Sequence, residues 1–271
     1  MRTDYTTLLV NVDGPVVEVV LNRPEKRNAI NFEMDHELDD VLTEAALDDD
    51  VRAVMVRGAG ACFSAGHDLA DQKELAAAKS SGERHPEVDP LSQPRLMRSW
   101  YFPKPLIAGV HGFVGPEALK IISHFDFVLA APGTRFSYEQ ARIATSAPGG
   151  TALPFLLPMR VWKKLILMGG WFDAEQALDF HFVQRIVPEE ELPGVLREWA
   201  EYLAAGPIEA MKIAKMGIHR QYELMGMANM EMVQNRIDRR GTDMASWDAS
   251  GGVAAAVQQR DAVSDPTISK V

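Results

Sequence analysis

Glu117 and Lys120 stand three residues apart behind Pro116, in a segment that reads as the opening of a helix. Proline suits a first helical position, where its missing N–H would have had no partner. The backbone N–H of Glu117 then lies at a helix N-terminus, where the macrodipole favours an anion. The same spacing lets the Glu117 carboxylate pair with the Lys120 ammonium across one turn. An ammonium is no general base near neutral pH unless burial lowers its pKa sharply. Pairing is therefore the favoured role for Lys120. Glu139 lies beside Phe136 and Tyr138, whose apolar surface can raise a carboxyl pKa toward neutrality. Its neighbour Gln140 can hydrogen-bond but cannot exchange protons. His67 closes a small-residue loop, Gly58 to Gly66. It offers a backbone N–H with a passive ring, or an imidazole projecting into a pocket. Lys26 and Arg27 could meet phosphates or lie in a solvated turn. His111 reads as a packed core residue and His124 as a surface or interface one. No HExxH-type spacing occurs, so no metal is expected.

Alternating strands and helices must position these residues. Val16 to Leu21 is β-branched and reads as a strand ended by Asn22-Arg23-Pro24. Asn31 can cap a helix running to about Leu47, with Phe32, Leu38, Val41, Leu42 and Ala45 on one face. Ala53 to Val56, Leu106 to Val110 and Phe127 to Ala130 read as further buried strands. Asp68 can cap a helix from Leu69 to about Lys79, and Pro116 to His124 reads as another. Ser80 to Pro94 holds Pro86, Pro90 and Pro94 among charges and serines and reads as a surface loop. Helices are expected at Met159 to Met168, at Glu189 to Ala205, and from Pro207 through Asp261. The pattern is α/β with a helical tail. Residues 1–200 are expected to form the core with the ligand site, and 201–271 a helical region used in oligomerisation.

The chain has 271 residues and a formal net charge of −10. Such a balance argues against nucleic acid, which demands a basic stripe, yet leaves room for one small anionic ligand. No apolar run approaches the ~20 residues of a membrane helix, and no signal peptide is visible. The single cysteine, Cys62, cannot form an internal disulfide, so a reducing compartment such as the cytoplasm is expected.

Four segments in order resemble the crotonase (enoyl-CoA hydratase/isomerase) family. Leu21-Asn22-Arg23-Pro24-Glu25-Lys26-Arg27-Asn28-Ala29-Ile30 is similar to the family's NRP…NAL segment, which lines the coenzyme A site. Phe63-Ser64-Ala65-Gly66-His67-Asp68-Leu69 resembles FxAGxDL. Pro103 to Gly112 is similar to KPxIAAVxG, and Asp126 to Phe136 with Pro148-Gly149-Gly150-Thr151 resembles the stretch that follows. The resemblance implies a spiral of ββα turns and a C-terminal helical part that supports trimers or hexamers. It implies an acyl-CoA substrate, with coenzyme A as part of that substrate and no separate cofactor. The coenzyme A contacts would come from Lys26, Arg27, Ala29, Ala65, Gly66, Asp68 and Leu69.

Acyl-CoA thioesters react through an enolate or tetrahedral oxyanion, which two backbone N–H groups in a dry site stabilise. By resemblance these belong to His67 and to Glu117. The sequence departs from the family here, because its usual three glycines fall on Pro116, Glu117 and Ala118. The first catalytic carboxylate falls on Lys120. The second falls on Gln140 when counted forward from Phe136, and on Glu139 when counted back from Gly149. Glu139 is the better proton carrier. The implied activity is enoyl-CoA hydratase/isomerase-like chemistry on an acyl-CoA other than a simple short-chain one. Two alternatives stay open: a CoA-ester C–C hydrolase, and an acyl-CoA-binding protein without turnover.

Overall fold

The computed structural model describes residues 1–81, 97–138, 151–227 and 270. Among them, a six-stranded sheet runs in the order β1-β2-β3-β4-β6-β9. The strands are β1 (Leu8–Asp13), β2 (Val16–Leu21), β3 (Ala53–Gly58), β4 (Leu106–Val110), β6 (Phe127–Ala130) and β9 (Arg185–Ile186). β1 pairs with β2 antiparallel; every later neighbour is parallel. A parallel sheet needs both faces covered, and its strands read as continuous apolar runs. All five residues of β4 are accordingly buried.

One face carries Val17, Val19, Val54, Val56, Leu106 and Ala108 against helix α1 (Phe32–Leu47). The other carries Val16, Ala53, Met55 and Ile107 against Leu192, Leu196, Ala200 and Ala204 of helix α8 (Leu192–Ala204). A three-stranded sheet of β5 (Phe113–Val114), β7 (Arg135–Ser137) and β8 (Trp171–Asp173) packs beside them. The stacked rings of Phe136 and Phe172 lie 5.0 Å apart at its centre. The result is the expected α/β architecture.

Local signals explain several boundaries. Asn31 caps α1, its side-chain oxygen accepting the Met34 N–H at 3.0 Å. At the far end of α1, the buried Lys104 ammonium donates to the carbonyls of Ala45 (2.7 Å) and Asp48 (2.6 Å). Those are carbonyls the helix cannot satisfy itself, and bonds to a charged donor contribute about 1.5–3 kcal/mol each. Asp68 caps α2 (Leu69–Ser81) by accepting the Ala70 N–H at 3.0 Å. Helix α4 (Pro116–Ile122) opens at its proline. Helix α6 (Met159–Met168) ends at Gly169 in the left-handed conformation. Helix α9 (Ile208–Leu224) is tied to the core by Lys215, whose ammonium lies 2.6 Å from Asp126 Oδ2.

The structure also corrects the sequence reading. β1 (Leu8–Asp13) adds a strand before the first one expected from the sequence. The helix expected from Glu189 begins at Leu192, with Pro193 in its first turn. The helix expected to reach His124 stops at Ile122. The short helices α3 (Arg98–Tyr101), α5 (Leu153–Leu156) and α7 (Ala174–Asp179) were not anticipated. The loop expected over Ser80 to Pro94 begins with the last turn of α2, and the rest of it lies outside the described residues. So does most of the helical tail beyond α9.

Candidate active site

Three chain segments clamp together to make the site. After the 3-10 turn Pro24–Lys26, Arg27 and Asn28 both adopt the left-handed conformation, each with φ 52°. The buried Asn28 carboxamide fixes this turn. Its Nδ2 donates toward the carbonyls of Ala59, Cys62 and Phe63 at 2.7–3.1 Å, and its Oδ1 accepts the Arg23 N–H at 2.9 Å. Backbone bonds then align residues 27–30 with 65–68: Ala65 N–H to Arg27 O (2.9 Å), Ile30 N–H to Gly66 O (2.8 Å) and Asp68 N–H to Ile30 O (2.9 Å). On the other flank, Gly115 N–H donates to Ser64 O at 2.8 Å.

Two glycines permit that closeness. A Cβ at Gly115 would stand 2.0 Å from the Ala65 carbonyl oxygen, so no other residue fits without moving backbone. Gly66 has φ +92°, and a Cβ there would lie 3.3 Å from the Glu117 backbone nitrogen. The turn opening α4 thus meets the Gly66–His67 peptide directly, although Pro116, Glu117 and Ala118 replace the expected glycines. Sequence reasoning missed Gly115 as the residue that makes the approach possible. Among the described residues, neither the His67 nor the Glu117 backbone N–H has an acceptor. Two free donors side by side are what an oxyanion requires.

The side chains of the same residues form a buried ionic cluster. Glu117 is 2% exposed. Lys120 Nζ lies 3.5 Å from its Oε1, and His67 Nε2 lies 3.0 Å from its Oε2. The His67 N–H is not aimed along that second contact, and Oε2 keeps an unfilled hydrogen bond. Burial penalises the Glu117 charge, but the His67 ring and the Lys120 ammonium beside it outweigh that and hold the carboxyl well below the usual carboxylate range. The expected Glu117–Lys120 pair is therefore formed. The His67 ring is not merely passive: it contacts Glu117 while its side chain stays 37% exposed.

His124, read from sequence as a surface or interface residue, is 2% exposed. The chain turns inward after α4, and Trp100 packs edge-on to the ring at 6.0 Å. Its Nδ1 lies 3.2 Å from Ser99 Oγ, while Nε2 has no partner. Burial, helped by the nearby Lys120 charge, pushes its pKa down to about 3. His111 is buried as expected, with Nε2 at 2.8 Å from Gly60 O.

Lys26 and Arg27 are exposed along one edge of the clamp, beside Ala29 and Ala65. The Asp68 carboxylate is engaged with Arg23 at 2.9 Å, besides capping α2. Leu69 is 50% exposed. Glu139 and Gln140 lie outside the described residues. A mostly apolar cavity of about 50 Å³ sits under α1, α3 and α4, with Ile30, Phe63, Ala118 and Ile121 in its wall and Asp35, Asp39 and Arg98 at its polar side. Two of its wall residues neighbour the donor pair: Ile30 bridges to His67, and Ala118 follows Glu117. Among the described residues, no group of three or more metal-ligating side chains is assembled. No described helix is long and apolar enough to cross a membrane.

A family model described as enoyl-CoA hydratase/isomerase matches residues 12–247. The chain belongs to this family, the crotonase superfamily of acyl-CoA enzymes. It is 28% identical over 214 residues to 1,2-epoxyphenylacetyl-CoA isomerase of Escherichia coli, covering 78% of this chain and 81% of that one. It is 31% identical over 195 residues to carnitinyl-CoA dehydratase of Citrobacter koseri, covering 70% and 71%. The crystal structure of enoyl-CoA hydratase/isomerase from Pseudoalteromonas atlantica superimposes with a TM-score of 0.83 at 25% identity, over 94% of this chain and 98% of the other. That of an enoyl-CoA hydratase/isomerase from Xanthobacter autotrophicus gives 0.82 at 28%, over 95% and 98%.

Proposed function

We propose that the protein performs hydratase/isomerase-like chemistry on an acyl-CoA, with the thioester oxygen held by the backbone N–H groups of His67 and Glu117. The observation that carries this reading is the free donor pair where Gly66 meets the Glu117 nitrogen. Coenzyme A lies along the edge formed by residues 26–29 and 65–69, its phosphates toward Lys26 and Arg27, and the acyl group turns toward the apolar cavity. Glu139, by its place in the family pattern, moves a proton on the acyl chain. Coenzyme A enters as part of the substrate, without a separate cofactor.

A second reading has one observation in its favour. Lys120 stands at the first carboxylate position and is committed to Glu117 at 3.5 Å. A CoA-ester C–C hydrolase needs a nucleophilic water and an oxyanion but not paired carboxylates. Crotonyl-CoA hydration separates the readings from an ordinary hydratase. General acid–base help is worth ~10²–10⁴-fold, so turnover should fall well below the ~10–10³ per second of a proficient enzyme. Turnover within that range would overturn the expectation that the substrate is not a simple short-chain ester, while leaving the acyl-CoA reading intact. Binding of several acyl-CoA esters without conversion of any would leave only the non-catalytic alternative.

We further propose a trimer or hexamer assembled through the C-terminal helices. Ile213, Met216, Ile218 and Leu224 of α9 are 52–89% exposed, an apolar surface that a lone subunit would present to water. The buried Cys62 fits a reducing compartment such as the cytoplasm.

A further inference from the structure

We propose that the imidazole of His67 is a proton carrier of this site, held in place by the buried carboxylate of Glu117. The inference rests on the acyl-CoA reading above and deepens it, because it assigns chemistry to side chains whose backbones hold the thioester. The observations are geometric. His67 Nε2 lies 3.0 Å from Glu117 Oε2, and that carboxylate is almost completely buried. The other oxygen faces Lys120 at 3.5 Å, so the carboxylate cannot swing away without leaving the ammonium. The His67 ring keeps 37% of its side-chain surface open. The ring belongs to the residue whose own N–H faces the thioester oxygen, so it stands within one side chain's length of the acyl carbon.

A base oriented by a third group is the usual logic of proton transfer in enzymes. Imidazole and carboxylate stand in these places here, through a 3.0 Å charge contact rather than an aligned hydrogen bond, and Lys120 fixes the carboxylate from its other oxygen. The step balances without any further reactant. Neutral imidazole removes a proton from the carbon next to the thioester carbonyl. The C–H electron pair forms a C=C bond to the carbonyl carbon and the C=O π pair moves onto oxygen, giving an enolate held by the two N–H groups. The resulting imidazolium sits against the Glu117 carboxylate. It then returns the proton to the same carbon, or passes it to another in an isomerisation. Among the described residues, the charged groups facing His67 are Glu117 and, beyond it, Lys120; its chain neighbour Asp68 is already paired with Arg23.

The test uses the full-length protein with butyryl-CoA and phenylacetyl-CoA in D₂O, following deuterium entry at the α-carbon by mass spectrometry. Binding of each ester is measured in parallel by calorimetry. The wild type should exchange α-protons, and His67→Asn should lower the rate by ~10²-fold or more while binding changes by less than about threefold. Glu117→Gln should lower the rate while binding again changes by less than about threefold, and Glu117→Asp should recover part of the rate, which a purely structural role would not produce. Unchanged exchange in His67→Asn overturns the assignment. Exchange absent in a wild type that binds both esters overturns it while leaving the acyl-CoA reading intact. Failure to bind either ester sinks the two together.

Discussion

Lys120→Met removes an ammonium that lies 3.5 Å from a carboxylate oxygen of a residue only 2% exposed. At an effective dielectric of ~20 the lost attraction is about 5 kcal/mol. His67 remains 3.0 Å from the other oxygen, and relaxation with water entry recovers part of the loss. The expected net destabilisation is about 2–4 kcal/mol, close to the usual penalty for stranding one partner of a buried pair. Glu117→Gln leaves Lys120 with 12% of its side chain exposed and able to reach water, so that change should cost less. The double variant Glu117→Gln/Lys120→Met buries no charge at all. It should be more stable than Lys120→Met alone, with a coupling energy of about 1–3 kcal/mol in the cycle. Urea unfolding at pH 7 and one fixed protomer concentration measures all four proteins, since association shifts apparent stability. A coupling energy below about 0.5 kcal/mol would refute the reasoning and place the Glu117 charge in water.

His124 should make the fold acid-sensitive. Its folded pKa of about 3 lies below the unfolded value of 6.5, so the stabilisation is complete above pH 6.5 and declines as pH falls toward 3. The unfolded chain binds the extra proton there, giving a slope approaching ~1.4 kcal/mol per pH unit. Urea midpoints in His124→Gln should lose part of this dependence between pH 6.5 and 5; an unchanged slope would assign it to other groups. Gly115→Ala places a methyl where 2.0 Å is available. Acyl-CoA turnover should drop at least tenfold, in keeping with the sensitivity of catalysis to ~1 Å displacements, and wild-type activity would mean the clamp is looser than described. Asn28→Ala leaves several carbonyls without their donor and should lower stability by ~1–3 kcal/mol, measured by thermal unfolding. Sedimentation at micromolar concentration should give a trimer or hexamer, and a monomer would remove the proposed role of α9.

Much of this was legible in the residues, for identifiable reasons. β2, β4 and β6 are buried on both faces, so their apolar runs stand out without any alternation to decode. Asn31 and Pro116 mark helix starts through local bonding and φ alone, which needs no knowledge of the rest of the fold. The two- and three-residue strands β5, β7, β8 and β9 are too short to carry a period, and only their neighbours make them strands. β1 was hidden because its exposed edge residues, Asn11 and Asp13, make the segment look polar. At the site, Glu117 with Lys120 was readable because three residues on a helix fix the contact. His67 with Glu117 was not, because fifty positions separate them and only the clamp through Gly66 and Gly115 brings them together. His124 was misplaced for a related reason: nothing nearby in sequence shows that Trp100 covers it.

The central claim is that the His67 and Glu117 N–H groups grip the thioester oxygen. An acyl-CoA labelled with ¹³C at the carbonyl, bound to the full-length protein, reports on this directly through its C=O stretching frequency. Hydrogen bonds from two oriented donors in a dry site weaken the C=O bond and should shift that band to lower frequency than in free ester. A bound ester whose carbonyl band matches the free one in water would contradict the account.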